Sequence, residues 1–265
     1  MGLRINQNID AMNSYRNLSV TQGQMSKSLE KLSSGFRINR AADDAAGLAI
    51  SEGLRSQVGG LKVGVRNAQD GVSVAQTAEG ALTEVHSMLQ RMNDLSVQYN
   101  NGTQNTDSKA ALQSEFDALS TEMTRIKDNT KFNGNALFSG TAQTFQVGYD
   151  SADTIDISST ALADFTGGAS FTAIDITDSN TVQAAVTEVS KQRSELGAVQ
   201  NRFEHTINNV NVAVENLSAS ESRIRDTDMA QEMMNFTRSQ ILSQAGTSML
   251  AQANQAPQGV LSLLR

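Results

Sequence analysis

The sequence predicts a mainly α protein: a long antiparallel helical bundle or coiled coil, helical at both termini, with a small β-hairpin region at its outer tip. Three observations predict it. Apolar residues recur at spacings of three and four along most of the 265 residues, which places them on one face of a helix. The chain has one proline, and long helices must avoid that residue because it lacks an N–H and clashes with the preceding turn. Aromatic residues make up 5% of the chain and tryptophan is absent, so there is little bulk for a thick core and long thin bundles are favoured.

The first seam is Ile5, Ile9, Met12, Tyr15, Leu18, Met25, Leu29 and Leu32, a coiled-coil pattern. The stretch SSGFRINRAADD interrupts it, and Asp43 or Asp44 can cap the next helix by accepting its free N–H groups. That helix is expected from about Asp44 to Gln98 on the seam Val58, Leu61, Val65, Ala68, Val72, Ala75, Leu82, Val85, Leu89, Met92 and Tyr99. At 1.5 Å per residue it would extend ~80 Å. Glycines at positions 47, 53, 59, 60, 64, 71 and 80 lie inside it, each costing up to ~1 kcal/mol relative to Ala. Either Gly59-Gly60 separates two helices, or the small residues admit close packing by neighbouring helices.

Asn100-Asn101-Gly102 supplies a stop and Asp107-Ser108 a cap. Leu112, Phe116, Leu119, Met123 and Ile126 then mark a shorter helix, expected to fold back on the long one as an antiparallel hairpin. From Phe138 to Ile176 the runs FQVGY, TIDIS and FTAIDIT alternate and are separated by Gly, Ser and Asp, so they read as β-hairpins facing solvent. Helical spacing returns after a cap at Asp178 to Thr181, from Val182 through Leu196, Phe203 and Val210 to Ile224. Asp228 with Gln231 forms a variant capping box that opens a last helix bearing Met229, Met233, Phe236, Ile241, Ala245, Met249, Ala253, Val260 and Leu264, with Pro257 placed to kink it. The segments are therefore 1–43, 44–137, 138–178, 179–225 and 226–265. Their near-palindromic order brings the two ends side by side.

A net charge of −7 argues against nucleic acid or an anionic membrane as partner, since both select basic patches. The opening MGLRINQNIDAMNSY has no apolar stretch resembling a signal peptide, so Sec export is not expected, and no run approaches the length that spans a membrane. With no cysteine there are neither disulfides nor thiolate metal sites. His86 and His205 are the only histidines and no HExxH accompanies them. Asp150, Asp153 and Asp156 miss the alternation of a calcium loop, and Asp43-Asp44 is explained by capping. No enzyme, cofactor or metal is expected. The Asn-x-Ser/Thr triplets at Asn17, Asn101, Asn216 and Asn235 are of a kind common by chance.

Long strings at both ends resemble one family. LSSGFRINRAADDAAGLAISEGLRSQVGGL (Leu32 to Leu61) and NAQDGVSVAQTAEGALTEVHSMLQRMNDLSVQ (Asn67 to Gln98) are similar to the N-terminal half of bacterial flagellins. LGAVQNRFEHTINN, ENLSASESRIRDTDMAQEM and LAQANQAPQGVLSLLR resemble the C-terminal half up to Arg265. Only about Ser139 to Ser179 lacks a clear match. The resemblance implies a short flagellin, a secreted subunit of the extracellular filament exported through the flagellar type III apparatus. Residues 1–43 and 226–265 would form the inner, filament-core coiled-coil domain, and 44–137 with 179–225 the outer helical domain, tipped by 138–178. The assembly seams would comprise Ile5, Ile9, Met12, Leu18, Met25, Leu29, Leu32, Met233, Phe236, Ile241, Met249, Val260 and Leu264.

Implied partners are further copies of the chain, the hook-filament junction and cap proteins, and an export chaperone on the C-terminal helix. Arg91, Leu95 and Glu115 match positions through which the flagellin-sensing Toll-like receptor of animals reads related flagellins, with Arg91 and Leu95 expected on one helix face. The pair before that leucine is Asn93-Asp94, where the family usually has Arg-Glu. The alternatives are a soluble coiled-coil adaptor and the hook-filament junction protein.

Overall fold

The structure, a computed structural model, describes residues 8–166 and 174–263. It contains α1 (Ile9–Ser34), α2 (Ala45–Tyr99), α3 (Thr106–Asn129), β1 (Lys131–Phe132), β2 (Asn135–Ala136), β3 (Gln143–Gln146), β4 (Thr154–Ile157), α4 (Ser179–Arg225) and α5 (Met229–Leu263). The chain divides into two compact units. One comprises the residues up to Ser56 and from Leu217 onward, and the other is Gln57–Asn216. The divisions fall inside α2 and α4 and not at the two linkers, because the linkers and the first turns of α2 are bonded together within the first unit.

Caps set the helix limits. Asn8 opens α1 by accepting from the Ala11 N–H at 3.0 Å, and Gly35 closes it at φ 76°, a left-handed value that glycine adopts without a Cβ penalty. Asp44 accepts from the Gly47 N–H at 2.8 Å at the start of α2. The cap of α3 is Asn105, accepting from Ser108, so the expected Asp107-Ser108 cap already lies inside the helix. Asp228 accepts from the N–H groups of Ala230 and Gln231 at 2.9 and 3.1 Å, opening α5 as expected. Helix α5 runs on past Pro257 to Leu263.

In the second unit α4 runs antiparallel to α2. Gly71 lies under Phe203, Glu79 meets Gln200 and Arg193, and Ser96 donates to the Ile176 carbonyl at 2.7 Å. Helix α3 folds back on α2 as expected, with Arg91 on Glu115 at 2.8 Å and the Lys109 ammonium over the Tyr99 ring. The core stripe of α2 includes Ala75, Leu82, Val85, Leu89, Met92 and Leu95, all fully buried. Opposite them on α4 stand Val182, Val189, Leu196 and Phe203. Two edge-to-face ring pairs close the core, Phe138 on Phe165 at 4.8 Å and Phe145 on Phe203 at 5.6 Å.

The strand region differs from expectation in four ways. Strands β1 and β2 precede it, joined by Asn133-Gly134 with φ of 49° and 84°. Two successive left-handed residues are what an Asn-Gly hairpin turn demands, a local signal that does not depend on alternation in the flanking residues. TIDIS supplies β4, whereas of FQVGY only Phe145 and Gln146 are strand, since β3 starts earlier, at Gln143; the two strands pair antiparallel with Phe145 opposite Ile155. The third run, FTAIDIT, yields no strand from Ile174 onward, because the Asp175 carboxylate accepts from the Thr177 N–H at 3.0 Å and bends the backbone into a turn; Phe171–Ala173 lie outside the described residues. Nor does the segment simply face solvent: Ile157, Ala161, Leu162, Phe165 and Ile176 are buried in the core.

Helix α2 passes Gly59 and Gly60 without a break, so the two-helix alternative is excluded. Its glycines serve two ends. A Cβ at Gly64 would sit 2.6 Å from the Val147 carbonyl carbon, one at Gly60 2.8 Å from Tyr149 Cβ, and one at Gly71 2.5 Å from Phe203 Cζ. These three let the β3–β4 hairpin and the Phe203 ring rest on helix backbone. Gly53, Gly59 and Gly80 face open space within the subunit. Gly64→Ala and Gly71→Ala should therefore destabilise the monomer by about 1–3 kcal/mol. Gly80→Ala should instead stabilise it by up to ~1 kcal/mol, the helix-propensity gain. Urea denaturation of the three variants checks the opposite signs.

Candidate assembly surface

The linker that follows α1 and the linker that precedes α5 are tied to each other. Phe36 bridges to Asp226, the Arg37 N–H donates to the Arg225 carbonyl at 2.7 Å, and the Thr227 N–H donates to the Gly35 carbonyl at 2.9 Å. The Arg37 guanidinium adds two bonds to the Ile224 carbonyl, at 2.6 and 3.1 Å. Arg225 reaches Glu52 at 2.7 Å and stacks over Phe36 at 4.9 Å, a cation–π contact. Ile38 is fully buried beneath, where a Cβ on Gly47 would come within 2.9 Å of its Cδ1. On the rim, the Arg40 N–H bond to Asp43 holds that carboxyl below its ordinary value, with the Asn39 N–H and the Lys27 and Lys31 ammoniums contributing. The result is a double knot of backbone and side chain that starts α1 and α5 in register.

From the knot the two helices run antiparallel. Asn8 donates to the Ala253 carbonyl at 2.8 Å, Leu18 lies on Gly246, and Ser243 meets Gln22. The inner face of α1 is Ala11, Ser14, Leu18, Thr21, Met25, Ser28 and Leu32, a strict alternation of three and four. Facing it on α5 are Phe236, Ser239, Ser243, Gly246, Leu250 and Ala253. Most of these side chains are small, so the helices approach closely while burying little apolar volume per turn.

The bulk lies outside. On α1 Ile9, Met12, Tyr15, Val20 and Leu29 are exposed, and on α5 Met229, Met233, Met234, Ile241, Leu242 and Met249. Ile9, Met12, Tyr15 and Val20 join Leu250 around a groove of ≈ 900 Å³, and Met233, Met234, Ile241 and Leu242 line a second. The expected seam residues thus divide: Leu18, Met25, Leu32 and Phe236 lie half-buried between the helices, while Ile9, Met12, Leu29, Met233, Ile241 and Met249 point away. Ile5 and Leu264 lie outside the described residues, and Val260 lies beyond the side chains that are described. The small residues of the inner face carry no hydrophobic signal, which is why periodicity in bulky residues did not single them out.

The expected receptor patch is not a patch. Arg91 and Glu115 form an exposed ion pair, but Leu95 is fully buried. Although four residues separate it from Arg91, the core stripe of α2 runs Leu89, Met92, Leu95 and Ser96 and takes Leu95 inward. Among the described residues no three His, Cys, Asp or Glu side chains converge as metal ligands, and no helix is long and apolar enough to cross a membrane.

A helix pair knotted at one end, packed on small residues and apolar on its outward faces, defines a structural subunit of a helical polymer. The model of the bacterial flagellin N-terminal helical region matches residues 5–143, and that of the C-terminal helical region matches 179–264. A flagellin of Halalkalibacterium halodurans is 53% identical, over 98% of this chain and 99% of its own. A flagellin of Bacillus subtilis is 46% identical, over 99% of this chain and 100% of its own, and a flagellar filament 33 kDa core protein of Treponema phagedenis is 43% identical, over 98% and 99%. The chain belongs to the bacterial flagellin family, and its function is that of a structural subunit of the flagellar filament. The adaptor and junction-protein alternatives are not favoured.

The close approach at Gly246 sets a test. Leu is a better helix former than Gly, so any loss in Gly246→Leu must come from packing against Leu18. Amides of α1 should exchange roughly tenfold or more faster in this variant, with those of Gln57–Asn216 unchanged. Hydrogen exchange followed by mass spectrometry reads both, and unaltered α1 protection would contradict the inner face assigned here.

Proposed function

We propose that the outward apolar faces of α1 and α5 are the contacts by which each subunit joins its neighbours in the extracellular filament. The observation that carries this is the uneven distribution of size: mostly small residues, interleaved with Leu18, Met25, Leu32, Phe236 and Leu250, between the two helices, and large exposed apolar residues on their free sides. Hydrophobic association is nearly proportional to apolar area removed from water, and these faces hold most of the exposed large apolar side chains of the first unit. Leu18, Met25, Leu32 and Phe236 join the two helices of one subunit. Ile9, Met12, Leu29, Met233, Ile241 and Met249 join subunits. The division of the chain into an inner domain of the terminal helices and an outer domain tipped by the 138–178 segment is part of the same proposal.

At the ends of the filament the same faces meet the hook-filament junction and cap proteins. Before export through the type III apparatus the α5 face would be covered by a chaperone, which keeps it from premature association. Recognition by an innate immune receptor is retained only through Arg91 and Glu115, since Leu95 is buried. No catalytic role is assigned to any residue.

Met12→Asp and Ile241→Asp test the proposal. Each places a carboxylate where the side chain is already exposed in the monomer, so thermal unfolding of the monomer should stay within ~0.5 kcal/mol of wild type. In the polymer that carboxylate must lose its water unpaired, at several kcal/mol per subunit. Seeded elongation followed by light scattering should stop in both variants, and normal growth of either would remove the proposal. For the wild type, elongation should quicken along a sulfate series. Sulfate favours apolar burial and also screens repulsion between acidic subunits, so a flat or falling response argues against apolar assembly.

A further inference from the structure

The methionines are distributed unevenly. Met12 on α1 and Met229, Met233, Met234 and Met249 on α5 are between 48% and 69% exposed, whereas Met92 and Met123 in the second unit are 0% and 2% exposed. Among the described residues the exposed thioethers lie on the outward faces, and Met233 and Met234 line a groove with Ile241 and Leu242. Cysteine is absent, so no thiol competes for an oxidant. An accessible thioether is the softest nucleophile such a surface can present.

We propose that these five methionines are a reversible oxidation site that governs whether the unassembled subunit can polymerise. The proposal rests on the assembly reading of the outward faces. The oxidant is a two-electron peroxide. A sulfur lone pair attacks one peroxide oxygen, the O–O bond breaks, an S–O bond forms, and the remaining oxygen leaves as water with the protons of the peroxide. Sulfur loses two electrons and the peroxide gains them. The product, a sulfoxide, carries a strong dipole and a hydrogen-bond acceptor in place of an apolar end. Buried among leucine and isoleucine it would lack a donor, so an oxidised face resists burial where a thioether accepts it. A methionine sulfoxide reductase reverses the change, removing the oxygen as water while two thiols of the reductase join as a disulfide. The core methionines escape because the peroxide does not reach them in the folded subunit.

The test treats full-length monomer with hydrogen peroxide, maps sulfoxides by peptide mass spectrometry, and measures elongation from untreated seeds. Sulfoxide should appear at the five exposed positions before Met92 and Met123, and elongation should fall roughly tenfold or more. Subsequent reductase treatment should restore it. The variant M12L/M229L/M233L/M234L/M249L should keep elongating after the same exposure. Should that variant fail to elongate even untreated, the reductase arm on wild-type protein decides. Oxidation of Met92 or Met123 ahead of the exposed five overturns the proposal, as does a block that persists after the sulfoxides are gone. Undiminished elongation with all five verified as sulfoxide overturns it too, and if Met12→Asp and Ile241→Asp are nevertheless blocked, the assembly reading survives alone.

Discussion

The close approach of α1 and α5 over small side chains is the constraint on which the ends of this subunit depend. Helices that meet on Ser, Ala, Thr and Gly come near enough for backbone to press on side chain, as Gly246 does on Leu18. Small residues alternate there with Leu18, Met25 and Leu32, while Ile9, Met12, Tyr15, Met233, Ile241 and Met249 are turned to the far sides of both helices. A seam of large residues would have produced a self-sufficient coiled coil with a polar exterior. This pair is not self-sufficient, and its hydrophobic surface is presented to other molecules.

The linker knot makes that arrangement reproducible. With Gly35 left-handed, Phe36 bridged to Asp226 and Arg37 spanning to the Ile224 carbonyl, both helices leave one point with their phases fixed. Because a helical face turns by about 100° per residue, a slip of one residue at the knot would rotate the outward stripe away from its partner. Glu52 and Arg225 carry the same restraint into the first turns of α2 and the end of α4.

Much of this was legible in the sequence, for physical reasons that also explain what was not. Periodicity in large apolar residues located the helices, since three-four spacing belongs to no other regular structure. It could not tell which of two stripes faces inward, because the inner face of α1 is written in Ala11, Ser14, Thr21 and Ser28, residues equally at home in solvent. Leu95 shows the converse: spacing from Arg91 suggested a shared surface, and only the packing of α3 and α4 on α2 settles that the leucine is core. From Ile174 onward the third run forms no strand because a single side-chain bond, in which the Asp175 carboxylate accepts from the Thr177 N–H, outweighed a short alternating pattern.

The last step concerns energy balance at the ends. Ordering a residue costs about 1–2 kcal/mol of backbone entropy. A seam of small side chains recovers little of that, because apolar burial contributes roughly 25 cal/mol per Å² and Ser, Gly and Ala have little area to bury. The α1–α5 pair in a single subunit therefore gains little from its own seam, and most helical stability in proteins comes from packing of an amphipathic face. On the assembly proposed above, covering the outward stripes would supply the missing stability, so that helix order and subunit addition would be one event in the manner of folding coupled to binding. The second unit, Gln57–Asn216, has a core of its own in Leu82, Leu89, Leu196, Phe165 and Phe203 and needs no such completion. Division of labour follows from packing: one unit carries its own core, and in the proposed assembly the other would complete its packing against neighbouring copies.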